Sequence, residues 1–373
     1  MRASILSLCE SLRDPESLVG TISAIDKTTI RRWAKEAGFS SAGFADIDLQ
    51  AAEQRLVRWL ADGLHGSMAY FDTHGTKRAR PSELVPGTLS VVSVTCDYLP
   101  EPNDALPERL DHPSRAYISR YALGRDYHKR VRRRLQRLAE RVQNAIGPFG
   151  YRAFCDSAPV LEKPLAAKAG LGWIGKHTNL ITKHKGSWFF IGELYTDLPL
   201  ASDPPAADHC GSCTRCIDVC PTDAIIAPYV LDARRCIAYL TIENRNAIPV
   251  EFRKALGNRV FGCDDCQIFC PWNKFAAPTD DKDFQPRHGL DEADLVSLFN
   301  WTEDEFDVRT QGSPIRRIGY VGWLRNLAVG LGNAAYCASV VDALQRRQHH
   351  PNELVHEHVN WALEQQQEKK NRV

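Results

Sequence analysis

The sequence predicts an α+β protein built in three parts, and three observations carry that expectation. Over roughly the first 205 residues, segments rich in β-branched residues alternate with amphipathic helical patterns, which calls for a sheet with helices packed on it. Eight of the twelve cysteines then fall between 210 and 270. Beyond about residue 286 the periodicity is helical throughout.

Residues 1–25 read as a loosely ordered extension ahead of the first part, 26–203. From Thr28 the apolar positions Ile30, Trp33, Ala34 and Ala37 recur at helical spacing, and Gly38 stops the run. Ala51–Leu60 repeats the pattern, with Leu56, Val57 and Leu60 expected on one face. The run L-S-V-V-S-V-T-C at Leu89–Cys96 is a strand by its β-branched content. Prolines and acids crowd a loop at 99–113, and a long amphipathic helix follows from about 127 to 145 on the stripe Val131, Leu135, Leu138 and Val142. Arg152–Cys155, Leu180–Thr182 and Trp188–Leu194 are further strands. Asp203-Pro204-Pro205 marks the start of the cysteine-rich part, 204–285. A polar linker carrying Pro278, Asp280, Asp281 and Pro286 leads to the last part, 286–373. There Thr302 and Glu305 form a capping box, and Ile315–Leu331, Val340–Leu344 and His356–Leu363 are helices resembling a short HEAT-type repeat.

Composition excludes little else. The chain has 373 residues, with 47 Lys+Arg against 46 Asp+Glu, so net charge implies no polyanionic partner and any nucleic-acid contact must rest on a local patch. No apolar run approaches the roughly 18 residues of a membrane span. The apolar stretch Ile5–Leu8 is short, and Glu10, Asp14 and Glu16 follow it, which argues against a secretory or twin-arginine signal. A cytoplasmic protein, not associated with a membrane, is the expectation.

In a reducing compartment, clustered thiols mean metal or redox work. Cys210-x2-Cys213-x2-Cys216-x3-Cys220-Pro221 is the bacterial ferredoxin run, in which three thiolates hold one cluster and the fourth serves a second. Cys263-x2-Cys266-x3-Cys270-Pro271 supplies the end of a matching run but lacks its first member, and Cys236 is the nearby thiol free to replace it. The count then closes on two [4Fe–4S] clusters: Cys210, Cys213, Cys216 and Cys270 for one, Cys220, Cys236, Cys263 and Cys266 for the other. Structural zinc accepts four cysteines from separated C-x2-C knuckles, but gives no reason for the C-x2-C-x2-C-x3-C-P spacing. Paired clusters of this kind carry single electrons towards something that must be reduced.

The first part holds the candidate for that chemistry. A literal G-x-G-x-x-G at Gly170, Gly172 and Gly175 invites a dinucleotide reading, but that fingerprint needs a strand before it and a helix after it. Here a helical pattern from Leu161 to Ala169 precedes, and an extended one follows. The glycines are expected to end the helix and to let backbone pass close to a large planar ligand. Asp156, ahead of Ser157-Ala158-Pro159, reads two ways. It or Ser157 caps the next helix, or, among Phe154, Ala158 and Val160, burial raises its pKa and keeps a proton available for a general acid. Lys176 and His177 are either surface groups or contacts to the polar rim of a cofactor.

Just upstream, residues 115–141 carry ten basic side chains against Asp126 and Glu140, with Tyr117, Tyr121 and Tyr127 interleaved. Since one face of the 127–145 helix points to the core, several arginines project outward together. A solvated face explains part of this. Arginines with tyrosines are also how proteins hold phosphates and stack unpaired bases, which favours RNA over duplex DNA.

Six segments together resemble the epoxyqueuosine reductases: H-G-S-M-A-Y at 65–70, K-R-A-R-P at 77–81, S-R-Y-A-L-G-R-D-Y-H at 119–128, A-G-L-G-W-I-G-K-H at 169–177, C-G-S-C-T-R-C-I-D-V-C-P-T-D-A-I at 210–225 and F-G-C-D-D-C-Q-I-F-C-P-W-N at 261–273. The resemblance runs in order from about Thr28 to Leu363. It implies an N-terminal α/β cobalamin-binding domain, a ferredoxin-like domain with two [4Fe–4S] clusters and a helical HEAT-like segment. It also implies a tRNA with a GUN anticodon whose wobble base carries epoxyqueuosine, reduced by cob(I)alamin to queuosine with loss of the epoxide oxygen as water. By position it implies Asp156 as proton donor and cobalamin contacts at Arg78, Ser119, Asp156, Lys176, His177, Leu180, Ile191, Cys263 and Asp264, without axial ligation by His177. The basic helix, through Arg130, Arg133, Arg134 and Arg137, is expected to hold the anticodon stem-loop. A flavodoxin- or ferredoxin-type donor, or a chemical reductant, is expected to feed a monomer. The competing readings are a corrinoid-dependent reductive dehalogenase-like enzyme, for which a twin-arginine signal is missing, and a non-catalytic electron-transfer or RNA-binding subunit.

Overall fold

A computed structural model describes residues 26–372, so the expected extension at 1–25 lies outside the described residues. The first part is organised by a four-stranded sheet. Its strands are β1 (Ser41–Ala45), β2 (Ser90–Asp97), β3 (Tyr151–Phe154) and β4 (Phe189–Thr196), in the spatial order β1-β2-β4-β3. Every neighbouring pair is antiparallel, and the two central strands run in full register from Ser90 opposite Thr196 to Asp97 opposite Phe189. The mixed helix-and-sheet class is as expected. The direction of pairing is what alternation of elements leaves open.

Helices cover both faces of the sheet, which explains why β2 and β4 are buried along almost their whole length instead of alternating. On one face α1 (Lys27–Glu36) and α3 (Tyr127–Ile146) pack Ile30, Ala34, Val131, Leu135 and Leu138 against Val92, Val94 and Leu194. On the other, α2 (Gln50–Ala61) and α4 (Glu162–Lys168) bring Ala52 and Leu165 against Val91, Phe154 and Tyr195. The expected stripe on α2 is corrected in one place, since Val57 is exposed and Ala52 is the residue that faces the core.

The glycines of the G-x-G-x-x-G segment end α4 and pass backbone against backbone. Gly170 has φ +73°, and a Cβ on Gly172 would collide with the carbonyl of Ile181, because Trp173–Ile174 pairs with Leu180–Ile181 there. The close neighbour is thus another strand of the chain. No cap from Asp156 or Ser157 exists either, as α4 starts after Leu161 without a side-chain cap.

The cysteine-rich segment contains two four-residue helices in equivalent places, Arg215–Asp218 and Asp265–Ile268, each inside a Cys-x2-Cys-x3-Cys-Pro run. Arg259–Phe261 pairs in parallel with Tyr117–Ile118, tying this segment to the first part. The last part contains α5 (Gly319–Asn333), α6 (Ala338–Gln345) and α7 (Glu353–Lys370), and the Thr302/Glu305 capping box forms ahead of them. One apolar core runs from Ala116 and Ile118 through Ile237, Leu240 and Val260 to Trp323, Leu327 and Ala362, so it crosses residue 286 without a break. Among the described residues no helix is long and apolar enough to cross a membrane.

Candidate functional site

Three cavities gather the candidate residues. The first, about 100 Å³, is lined by Cys210, Cys213, Cys216 and Cys270, with Lys176, His177 and Trp272 completing its wall. The second, about 260 Å³, is lined by Cys220, Cys236, Cys263 and Cys266 together with Ser119, Tyr121, Lys163 and His177. These are the two sets of four that the spacing assigns, including the exchange of Cys220 and Cys270 between runs. Among the described residues, no three His, Cys, Asp or Glu side chains converge as a single metal ion would require. Each set of four thiols surrounds space, which suits a cage-shaped cluster.

His177 borders both cysteine cavities. Its Nδ1 accepts from the Asn179 backbone at 3.1 Å, its Nε2 is buried without a partner, and burial, aided by the Lys163 ammonium, pushes its pKa down to about 4, so the ring is neutral. Lys176 does not reach for a ligand. Its Nζ donates to the carbonyls of Gly211 at 2.7 Å and Cys213 at 2.9 Å, holding the cysteine loop in place. Asp264 is equally engaged: it accepts from Tyr117 Oη (2.8 Å), Ser119 Oγ (2.5 Å) and the Arg120 amide (2.8 Å), fixing the turn that presents Cys263. Leu180 and Ile191 pack with Ala166 and Phe189 as apolar wall.

The third cavity, about 250 Å³, is lined by Tyr70, His74, Arg78, His128, Asp156, Ser157, Glu243 and Arg317 among others. Asp156 sits at φ +56°, a left-handed conformation that costs a non-glycine residue free energy and marks functional positions. Glu162 helps to hold it there by accepting the Asp156 amide proton at 2.9 Å. The Asp156 side chain remains 44% exposed, and its Oδ2 accepts from Tyr127 Oη and stands 3.0 Å from His128 Nε2.

These contacts correct the expectation that burial keeps Asp156 protonated. Burial does push its pKa up, but the hydrogen bonds from His128 and Tyr127 and the positive charges of His128 and Arg317 outweigh it, and the net direction is down. The proton rests on His128 instead. Burial would discharge that ring, yet Asp126, 2.6 Å from Nδ1, and Asp156 raise it to about 9. Glu162, behind Asp156, is pushed up to about 8 by burial and by the Asp156 charge. Sequence reasoning missed these partners, although D-Y-H stood within a segment already singled out.

The second and third cavities share no lining residue, but Tyr127, which donates to Asp156, and Glu162, which accepts the Asp156 amide, stand between their walls. Tyr121, on the wall of the second, meets the Tyr127 ring at 6.0 Å, and Lys163 on the same wall follows Glu162 directly. The basic surface is smaller than the sequence suggests, because Arg115, Arg120, Arg125, Arg130, Arg134 and Arg141 each meet a carboxylate from elsewhere in the chain. Arg134 in particular is corrected. Its guanidinium pairs with Asp281 and donates to Gly38 O at 3.0 Å, which makes it a structural residue, while Arg133 and Arg137 stay exposed.

Comparison with known proteins places this arrangement. Residues 209–273 match the family model of a 4Fe-4S double cluster binding domain, and residues 78–157 match that of "Epoxyqueuosine reductase QueG, DUF1730". The chain is 57% identical to the epoxyqueuosine reductase of Pseudomonas aeruginosa, over 94% of this chain and 98% of that one. It is 61% identical to that of Xanthomonas campestris pv. campestris, over 90% and 95%. A crystal structure of epoxyqueuosine reductase with a tRNA-Tyr epoxyqueuosine-modified stem loop superposes with a TM-score of 0.83 at 27% identity, covering 91% of this chain and 89% of that one. The Bacillus subtilis enzyme, with its catalytic loop swung out of the active site, superposes with a TM-score of 0.81 at 28% identity over 91% and 90%. With relatives this similar along nearly its whole length, the chain belongs to the epoxyqueuosine reductase family.

Proposed function

We propose that this epoxyqueuosine reductase opens the epoxide of a modified tRNA wobble base at the Asp156 cavity, with electrons arriving through the two cysteine-lined cavities and the proton arriving through Asp156. The observation that carries the reading is that His177 lines both cysteine cavities, and that Tyr121 on the wall of the second meets Tyr127, which donates to Asp156 on the wall of the third. An epoxide is strained but its oxygen leaves poorly, so opening needs electrons at carbon and a proton at oxygen together. When bound, a reduced cobalamin supplies the electron pair, and two [4Fe–4S] clusters supply single electrons to it. The cobalamin reading is supported by polar atoms that the chain leaves buried and unpartnered beside these cavities, Arg78 Nε and His177 Nε2.

The chain's own residues then have distinct tasks. Cys210, Cys213, Cys216 and Cys270 would hold one cluster, and the exposure of Cys213 leaves that site open to an external donor of flavodoxin or ferredoxin type. Cys220, Cys236, Cys263 and Cys266 would hold the other, deeper one, with Asp264 and Ser119 fixing the Cys263 turn. Asp156 faces the epoxide oxygen, oriented by Tyr127 and His128. Arg78 and Arg317 border the same space and suit an anionic substrate rim. Exposed Arg133 and Arg137, with Arg130 partly engaged by Asp283, would meet the phosphates of the anticodon stem-loop.

The test is an anaerobic assay of the cluster-loaded chain with cobalamin, a reductant and an epoxyqueuosine stem-loop, read by mass spectrometry. The product is expected to be lighter by one oxygen atom. An unchanged base with both clusters and cobalamin in place would contradict the reading.

A further inference from the structure

Atom balance sets a demand that Asp156 does not meet alone. Turning an epoxide into an alkene breaks two C–O bonds, forms the second bond between the two carbons, and releases the oxygen as water, consuming two electrons and two protons. The electrons come from the corrinoid and clusters of the reading above, on which this inference rests. One carboxyl group delivers one proton at a time, so the acid facing the oxygen must be recharged between the two bond-breaking events.

We propose that His128 is the positioning residue that recharges Asp156: Asp156 gives the first proton, taken from the cavity water before the substrate fills it, and the doubly protonated ring then gives its Nε2 proton to Asp156 Oδ2 for the second, remaining as the neutral ring whose Nδ1–H Asp126 accepts. The geometry is continuous. Asp126 Oδ1 lies 2.6 Å from His128 Nδ1, and His128 Nε2 lies 3.0 Å from Asp156 Oδ2. Exposure falls and rises again along this line: the Asp126 side chain is 31% exposed, His128 7% and Asp156 44%. The ring is therefore shielded between one carboxylate that reaches bulk water and another that reaches the cavity.

Its orientation is fixed on several sides. Asp126 caps α3 by accepting the His128 amide at 3.0 Å, and the Tyr127 ring stacks on the imidazole at 4.2 Å between centroids. Arg317 Nη2 stands 3.4 Å from Nε2, from the C-terminal part, and Arg132 Nε lies 3.4 Å from the His128 carbonyl. Glu162 lies behind Asp156, while His74, Arg78 and Glu243 face the same cavity. Two carboxylates flanking one ring keep it charged at neutral pH, the direction its raised pKa shows. Because the Nδ1 proton stays on the Asp126 side throughout, the ring gives up and regains only its Nε2 proton and the side chain need not turn.

Two variants and one spectroscopic readout test this. Asp126→Asn keeps the cap, since Asn is as good a cap as Asp, but removes the negative charge behind the ring. In the holoenzyme it is expected to lower kcat with KM for the stem-loop unchanged, and to move the alkaline limb of the kcat profile to lower pH. His128→Gln is expected to lose about tenfold or more in kcat and to abolish that limb, with partial rescue of His128→Ala by added imidazole. Ring-nitrogen NMR of the resting chain, which needs no turnover, is expected to find His128 doubly protonated at neutral pH and discharged more easily in Asp126→Asn.

A wild-type pH profile retained in both Asp126→Asn and His128→Gln overturns the proposal, as does a neutral His128 ring in the resting protein. If His128→Gln fails to take up its cofactors, Asp126→Asn, which leaves the ring in place, decides. Absence of turnover in the wild type would instead sink the reductase reading, and the ring titration separates the two failures.

Discussion

Asp156 shows how a single carboxyl can be both ionised at rest and the proton donor in turnover. Its backbone is held left-handed, its Oδ2 is shared by Tyr127 and His128, and the proton waits one residue away. Asp156→Asn keeps the shape and removes the acid, so turnover should fall by roughly a hundredfold to ten-thousandfold while iron, cobalamin and stem-loop binding stay at wild-type levels. Retained turnover would take the role from Asp156. Stability should report the same pairing. The His128 ring is raised from its usual 6.5 to about 9 in the folded chain, so its contribution is complete below the lower value and lost as pH climbs through the higher one. Denaturant titrations at the two ends of that window should show the wild type losing more stability on alkalinisation than His128→Gln. Asp156 itself was legible as a candidate from its setting, but its charge state was not. That depends on Tyr127, His128 and Arg317, of which Arg317 lies far away in sequence and is brought in only by the tertiary fold.

The helix α3 was legible almost end to end, because its apolar stripe is a local signal. The fate of its arginines was not, since a sequence shows charge but not the acids that fold against it. Asp281 and Asp283, from the linker near 280, take up Arg134 and Arg130. Reversing Arg133 and Arg137 to glutamate should therefore weaken stem-loop binding and flatten its dependence on salt. Arg134→Ala should lower stability instead and leave the salt slope nearly untouched. A large change of slope for Arg134→Ala would return that residue to the binding face. In the G-x-G-x-x-G segment the surrounding pattern rightly ruled out a dinucleotide loop, while the strand at Leu180–Ile181 was expected but not as the close neighbour of these glycines, because its pairing with Trp173–Ile174 is not written in either strand's own pattern.

Across the whole molecule the cysteine pattern carried the most information, because cluster ligation imposes spacing that few other demands share. What spacing does not reveal is how the C-terminal helices serve the site. Asn326, fully buried on α5, donates to the carbonyls of Thr241 and Val260 at 2.8 Å each, and Thr241 Oγ accepts the Gly262 amide next to Cys263. Arg325 beside it binds the carbonyls of Leu240, Asn244 and Asn246. The last part thus braces the turn that presents Cys263, as the unbroken core also requires. Asn326→Ala should cost about 1–3 kcal/mol for the carbonyls left without donors, and should loosen the cluster site that includes Cys263 before the other one. Equal loss from both sites would argue against this bracing.

The crossed wiring of the two cysteine sets is the claim on which the electron path stands, and electron paramagnetic resonance of reduced Cys270→Ala tests it most directly. The expected spectrum keeps the signal of the cluster at Cys220, Cys236, Cys263 and Cys266 and loses that of the cluster at Cys210, Cys213 and Cys216. Survival of both signals, or loss of the deeper one alone, would contradict it.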